Sequence, residues 1–338
     1  MRKIKLLDCT LRDGGYINNW NFGKDVIYSI ARELEEAGVD IVELGFLRDV
    51  DYQEDFTVFN SMQYPENIIK ESNRKSEYAV MCEALNPLPV SKIEAYNDFN
   101  TSIIRVIVWK RLLQEGLEYC KDLVEKGYKV CIQPNRVDQY STEEYIDLIE
   151  QFNKINPYAF YVVDSFGILD TDEIMKYADI ANQYLKADIA LGYHGHNNLM
   201  QAYGTAQEFI DRKYDRDIML DASVYGIGRG AGNLNIELIA QYINKMYGVR
   251  YKVDSFISIY NKYIRKIAQT ENWGYSMYYY TVALDKCNPM YANYFEGEES
   301  VPIEDVRNIL ALMEDNDKIR FSKEKIQQYL QEYYKGKK

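Results

Sequence analysis

Histidine occurs only twice in 338 residues, at His194 and His196, and the five cysteines (Cys9, Cys82, Cys120, Cys131 and Cys287) form no CxxC pair. Thiols scattered in this way argue against a disulfide framework and against a thiolate zinc site. No apolar run reaches the roughly 18 residues of a membrane span. Basic side chains are outnumbered, 40 against 52, and the net charge of −12 leaves no basic surface of the kind nonspecific nucleic-acid binding requires. The N-terminus starts basic and then briefly apolar, but acids follow at once and the run is too short for a secretory signal. These absences lead to the expectation of a cytoplasmic protein that binds neither nucleic acid nor membrane.

What is present is a regular alternation. Short apolar runs begin at Ile4–Leu7 and continue at 39–46, 77–84, 102–109, 128–134, 159–165, 188–196 and 217–224. They are apolar on both faces, as strands covered on both sides of a sheet must be. Between them lie helical patterns at 22–37, 112–126, 141–154, 171–185 and 198–212; the first places Val26, Ile27, Ile30, Leu34 and Ala37 at helical spacing and stops at Gly38. Eight strands alternating with helices over about 240 residues predict an α/β fold, a (β/α)8 TIM barrel. The expected division is a barrel over 1–248 and a helical C-terminal extension over 249–338. The polar stretch 47–76 is expected to hold a short helix near Val58–Met62 and to act as a lid.

In such a barrel the active site forms at the C-terminal ends of the strands, and polar residues gather there. Strand 1 leads into Asp8, Arg12 and Asp13, strand 2 into Glu43, strand 6 into Asp164 and Ser165, and strand 7 into "GYHGHNN". His194 and His196, two apart on a strand, point to the same face. Their rings can meet one metal ion, and a carboxylate from another strand, here Asp13, completes a two-histidine, one-carboxylate set with open positions for substrate oxygens. The glycine-rich "GIGRGAGN" (226–233) lets backbone approach an ion or ligand. Within it Asn233 offers a side-chain oxygen as a fourth ligand, and Arg229 either meets an anionic substrate or is solvated.

Three stretches, "LLDCTLRDGG", "GYHGHNNLMQA" and "DASVYGIGRGAGNLNIE", together resemble the DRE-TIM metallolyases (HMG-CoA lyase-like) across about residues 4–245, most of all the 4-hydroxy-2-oxovalerate aldolase branch. The resemblance implies a divalent metal, Mn²⁺ or Mg²⁺ with Zn²⁺ or Co²⁺ as alternatives, held by Asp13, His194, His196 and Asn233. It implies that Arg12 stabilises an enolate, and that the reaction is aldolase-type cleavage of a carbon–carbon bond in an oxo-acid. Its alternatives are a Claisen-type acyltransferase of the isopropylmalate or homocitrate synthase kind, and a metal-binding barrel serving as a non-catalytic partner subunit. An aldehyde dehydrogenase-type partner or a homo-oligomer is the implied association. One position departs from the pattern: Tyr16 stands where the aldolases carry a histidine base. A free phenol, with a pKa of about 10, is a poor base at neutral pH. Tyr16 is then a hydrogen-bond donor or a wall of the pocket, and Glu43, Glu83 and the tyrosines of "GYSMYYY" are the other candidates for the base.

Overall fold

The apolar runs form the strands expected of them, and the computed structural model, which describes residues 3–70, 73, 75–97 and 101–337, closes eight of them into a parallel barrel. In chain order the strands are β1 (Ile4–Asp8), β2 (Ile41–Leu47), β3 (Val58–Phe59), β4 (Glu77–Glu83), β5 (Ile103–Val108), β6 (Lys129–Pro134), β7 (Ala159–Asp164), β8 (Ala190–Gly195) and β9 (Ile218–Ala222). Closure comes from β1, which pairs with β9 on one side and β2 on the other. The two-residue β3 lies outside the ring, added to β2.

That extra strand corrects the expectation of a helix near Val58–Met62. Val58 and Phe59 instead pair with Phe46 and Leu47, and the helix forms later, over Gln63–Lys70. The approach to β3 is tied down as well. Buried Thr57 donates its hydroxyl to the Leu11 carbonyl (2.7 Å), and its N–H goes to the Trp20 carbonyl. The segment around residues 55–59 is therefore stitched to the barrel rim by β pairing and hydrogen bonds, which a freely swinging lid would have to break.

Residues two apart on a strand share a face, so the inside of the barrel is built in layers. The lowest is apolar, with Ile41, Ala79, Ile103, Cys131, Ala159 and Met219 packed together. Two residues further along the same strands the layer turns polar: Glu43, Arg105, Gln133, Tyr161 and Asp221, all buried. Gly192 of β8 makes room for this layer, since a Cβ there would strike the Tyr161 ring at 2.5 Å. His194 follows Gly192 by the same step and faces the mouth.

Helices Lys24–Glu36, Leu113–Glu125, Thr142–Asn153, Thr171–Tyr184 and Ala202–Asp211 cover the outside, close to the predicted segments. Ser141 and Asp170 start two of them with complete capping boxes, answered by Glu144 and Glu173. The barrel's apolar cluster continues through Tyr251, Phe256, Ile259 and Ile264. The C-terminal region is helical, and most of it gathers around a second cluster that includes Val282, Tyr291, Phe295, Ile309 and Ile326. Ala231 of the glycine-rich loop belongs to that second cluster, so the extension packs against the loop that borders the barrel mouth.

Candidate active site

β1 ends at Asp8, whose carboxylate turns back to accept hydrogen bonds from the Thr10 N–H (2.9 Å) and hydroxyl (2.8 Å). Burial pushes this acid up to about 7 against those two bonds. The turn so formed starts a short helix, Thr10–Asp13, that carries Arg12 and Asp13 over the barrel mouth. Both side chains are almost fully buried. Arg12 is clamped: Nε donates to Glu43 Oε2 (2.7 Å), and Nη1 pairs with Asp13 Oδ1. Among the described residues its Nη2 has no hydrogen-bond partner, and neither has Asp13 Oδ2.

Across the mouth, β8 delivers His194 and, just past its end, His196. Their ligand atoms and an Asp13 oxygen all lie within 4.8 Å of one another. His194 Nδ1 lies 3.0 Å from Asp221 Oδ2, a buried carboxylate. Burial pulls the His196 pKa down to about 3, more than Asp13 raises it, so the ring is neutral at pH 7, as a ligand must be. Burial alone would raise the Asp13 carboxyl, but its pKa is held below the ordinary carboxylate value, with the Arg12 guanidinium the largest opposing influence.

Asn233 comes from the glycine-rich loop, which is tied to the segment after β8. Residue 233 bridges to His196, the Asn197 N–H donates to the Gly232 carbonyl (2.8 Å), and Asn198 Oδ1 accepts from the Ala231 N–H (2.8 Å). The Asn233 amide nitrogen donates to the Ile227 carbonyl (3.1 Å), while its buried Oδ1 has no partner. Gly228 is required by this approach. A Cβ there would lie 2.6 Å from Asp13 Oδ2 and would also run into the Asn233 amide.

The residues present suit a divalent cation. The donors are carboxylate and amide oxygen with imidazole nitrogen, and two buried oxygens, Asp13 Oδ2 and Asn233 Oδ1, are otherwise orphaned. The charge balance agrees. A continuous buried chain runs from Asp13 through Arg12, Glu43, Arg105 and Asp221 to His194. It contains three carboxylates and two guanidinium groups, an excess of one negative charge that a cation between its two ends would offset.

Sequence reasoning placed Glu43 at a strand end; it lies within β2 and is 0% exposed. It does not line the cavity, and one of its oxygens is shared by Arg12 Nε and Arg105 Nη1, both at 2.7 Å. Its position is that of an anchor for Arg12. Glu83 accepts from the Trp109 indole (2.9 Å) and is also absent from the lining, as are Tyr275, Tyr278, Tyr279 and Tyr280. Asp164 caps its own turn through the Ile168 and Leu169 N–H groups. Tyr16 does line the cavity, edge-on to Trp20 (4.9 Å between centroids) and 5.9 Å from the Arg229 guanidinium. Seating the phenol in the cavity raises its pKa further, against the pull of Arg229. Arg105 and Asp221 were not singled out from sequence. The available signal was a charge inside an apolar strand, "IIRVIV" and "IMLDA", since a charge buried in a barrel strand has to be paired there.

The cavity holds about 440 Å³ of space, including the part open to solvent. Met81, Ile107 and Val163 give it apolar lining, and Gln133, Asn135 and Ser165 add neutral polar groups.

Comparison with known proteins agrees with this arrangement. The family model HMGL-like matches residues 3–261. A 4-hydroxy-2-oxovalerate aldolase from Bacillus cereus is 25% identical over 256 residues, 75% of this chain and 72% of the relative. An oxaloacetate decarboxylase from Mycobacterium tuberculosis is 24% identical over 250 residues, covering 72% and 71%. Among solved structures, the HMG-CoA lyase from Brucella melitensis shares the fold with a TM-score of 0.60 at 13% identity, over 80% of this chain and 100% of that one.

Proposed function

The chain belongs to the HMGL-like family of TIM-barrel enzymes, and from that premise we propose that it is a divalent-metal-dependent lyase that breaks a carbon–carbon bond in an oxo-acid by way of an enolate, in the manner of an aldolase. The observation that carries this reading is the convergence of Asp13, His194 and His196 on one cavity beside the unpaired Nη2 of Arg12. Asp13, His194, His196 and Asn233 would hold the ion. When bound, it supplies Lewis-acid polarisation of the substrate carbonyl.

The protein's own groups supply charge stabilisation and positioning. As the bond breaks, negative charge grows on the carbonyl oxygen, and Arg12 Nη2 is the free donor to meet it. Glu43 and Asp13 fix the guanidinium in advance, so little reorganisation accompanies the reaction. Met81, Ile107 and Val163 seat the carbon chain and exclude water from it. Tyr16 hydrogen-bonds a substrate oxygen through its neutral phenol.

A second reading, decarboxylation of an oxo-acid, is favoured by one feature of the cavity. Apart from the proposed ligands, no carboxylate or histidine lines it, among the described residues. Retro-aldol cleavage needs a base to take a hydroxyl proton. Loss of CO₂ leaves the bonding pair on the neighbouring carbon with no hydroxyl proton to remove. A relative named oxaloacetate decarboxylase is consistent with that route.

One set of measurements separates these readings. Elemental analysis should find about one divalent ion per chain in the wild type and a clear loss in His194→Ala. Release of an aldehyde with pyruvate from 4-hydroxy-2-oxo acids marks the aldolase, and release of CO₂ from 3-carboxylated oxo-acids marks the decarboxylase. A metal-loaded protein that releases neither would overturn the lyase reading. In either active case Arg12→Lys should lower kcat by about 10²–10³ while retaining metal, because lysine cannot present the second nitrogen of the fork.

A further inference from the structure

We propose that Arg229 binds a second carboxylate of the substrate, so that the site takes an oxo-acid carrying an acid at each end rather than a monocarboxylic one. This rests on the lyase reading of the same cavity and adds the substrate class to it.

The guanidinium groups around the barrel mouth differ in how they are satisfied. Arg12 is held by Glu43 and Asp13, Arg105 by Glu43 and Asp221, and Arg136 by Asp138. Arg229 also lines the cavity and is half-buried, yet the structure gives it no carboxylate partner among the described residues. Its Nη2 reaches only the neutral Asn288 Oδ1 (3.2 Å), and its guanidinium lies 5.9 Å from the Tyr16 ring and 5.5 Å from the Phe166 ring. A guanidinium partly withdrawn from water, with only rings and an amide around it, gains more from an arriving anion than an exposed or already paired one does.

Its position is also built. Gly230, with φ of +66°, turns the chain after Arg229, and a Cβ there would sit 2.8 Å from Asn198 Oδ1. Asn288 is held in turn, donating to the Ile319 carbonyl (3.1 Å) and accepting from the Met290 N–H (3.1 Å). The C-terminal extension thus supplies the residue that aims Arg229. A single guanidinium in a cavity whose other lining includes the neutral Asn135 and Ser165 matches a singly charged carboxylate, which its planar fork can grip at two points. Arg12 and the metal ligands serve the oxo-acid end of the molecule, and Arg229 serves the other.

The test is calorimetric titration of the Mn²⁺-loaded protein with matched pairs: 2-oxoglutarate against 2-oxopentanoate, and 2-oxoadipate against 2-oxohexanoate. Each pair has one chain length and differs only in the terminal acid. The wild type should bind the diacid at least about tenfold more tightly in one pair or both, the scale of one charged hydrogen-bonded contact. Arg229→Gln should bind both members of that pair equally, and Arg229→Lys should recover part of the preference. No preference in either pair, or a preference that survives in Arg229→Gln, overturns the proposal and leaves the lyase reading standing. Failure of all four acids to bind the metal-loaded protein overturns both.

Discussion

Tyr16 combines a packed ring with a hydroxyl on a residue that lines the cavity. Its ring packs edge-on against Trp20 and Phe46, so the aromatic body is structural, while the residue as a whole is 38% exposed and lines the cavity. Tyr16→Phe keeps the packing and removes only the hydroxyl. Steady-state kinetics should then show a loss of about 1–3 kcal/mol in transition-state stabilisation, with the Tm nearly unchanged; a variant at full rate would leave the ring as the only contribution. His196 makes a different prediction. Its folded pKa, about 3, lies below the ordinary value of 6.5. A neutral ring in the native state and a protonated one in the unfolded chain mean that the His196 contribution is complete above pH 6.5 and drains away as pH falls toward 3. At pH 5 the loss is about 2 kcal/mol. Buried Asp8 and Asp164, both raised to about 7, act in the opposite sense, favouring the native state as pH falls. Their effect is common to wild type and His196→Gln. The difference in urea stability between these two metal-free proteins should therefore narrow between pH 7 and pH 5, and a constant difference would show that His196 does not titrate this way.

At the level of elements, strands β2, β5 and β9 are joined through charge as well as through the sheet. Arg105, 0% exposed, bonds Glu43 on one side and Asp221 on the other; Glu43 also binds Arg12, and Asp221 lies 3.0 Å from His194. Arg105→Met leaves two buried carboxylates short of a cation, and denaturant unfolding should register about 3–5 kcal/mol of destabilisation. The glycine-rich loop makes a local prediction. Gly228→Ala introduces a methyl against Asp13 Oδ2 and the Asn233 amide. Mn²⁺ affinity should drop by about tenfold or more, as when the groups supporting a ligand are disturbed, while far-UV circular dichroism stays as in the wild type. Helix Thr171–Tyr184 depends on its cap. Asp170→Ala removes the acceptor for the Glu173 N–H (2.8 Å) and should cost about 1 kcal/mol in a thermal melt.

The molecule as a whole, a TIM barrel with a helical C-terminal region, brings its proposed ligands together from positions 220 residues apart, Asp13 at one end of the closure and Asn233 at the other. Binding an ion at that junction links β1, β8 and the loop after β9, and does so only in the folded state. A free Mn²⁺ concentration one hundred times Kd should stabilise the wild type by about 2.7 kcal/mol, a few degrees in Tm, and EDTA should reverse it. His194→Ala should show no such response. The C-terminal helices have a cluster of their own, yet they meet the barrel at Ala231 and Asn288, beside the mouth. No helix among the described residues is long and apolar enough to cross a membrane.

Much of this was legible in the sequence because it is encoded locally. Runs that are apolar on both faces mark barrel strands wherever they occur, and all eight fell within a few residues of their observed bounds. A pair of histidines two apart on a strand shares a face by backbone geometry alone, so His194 and His196 were readable as partners. The pairing of Val58 and Phe59 with β2 was not readable, because a two-residue strand carries no period of its own and exists only through its neighbour. Nor was the function of Glu43: the sequence shows an acid in an apolar strand, and only closure of the barrel brings Arg12 and Arg105 to the same carboxylate oxygen. The same holds for Arg229. Its charge is evident from its letter, but that it has no carboxylate partner among the described residues follows from what barrel, loop and extension place around it in space.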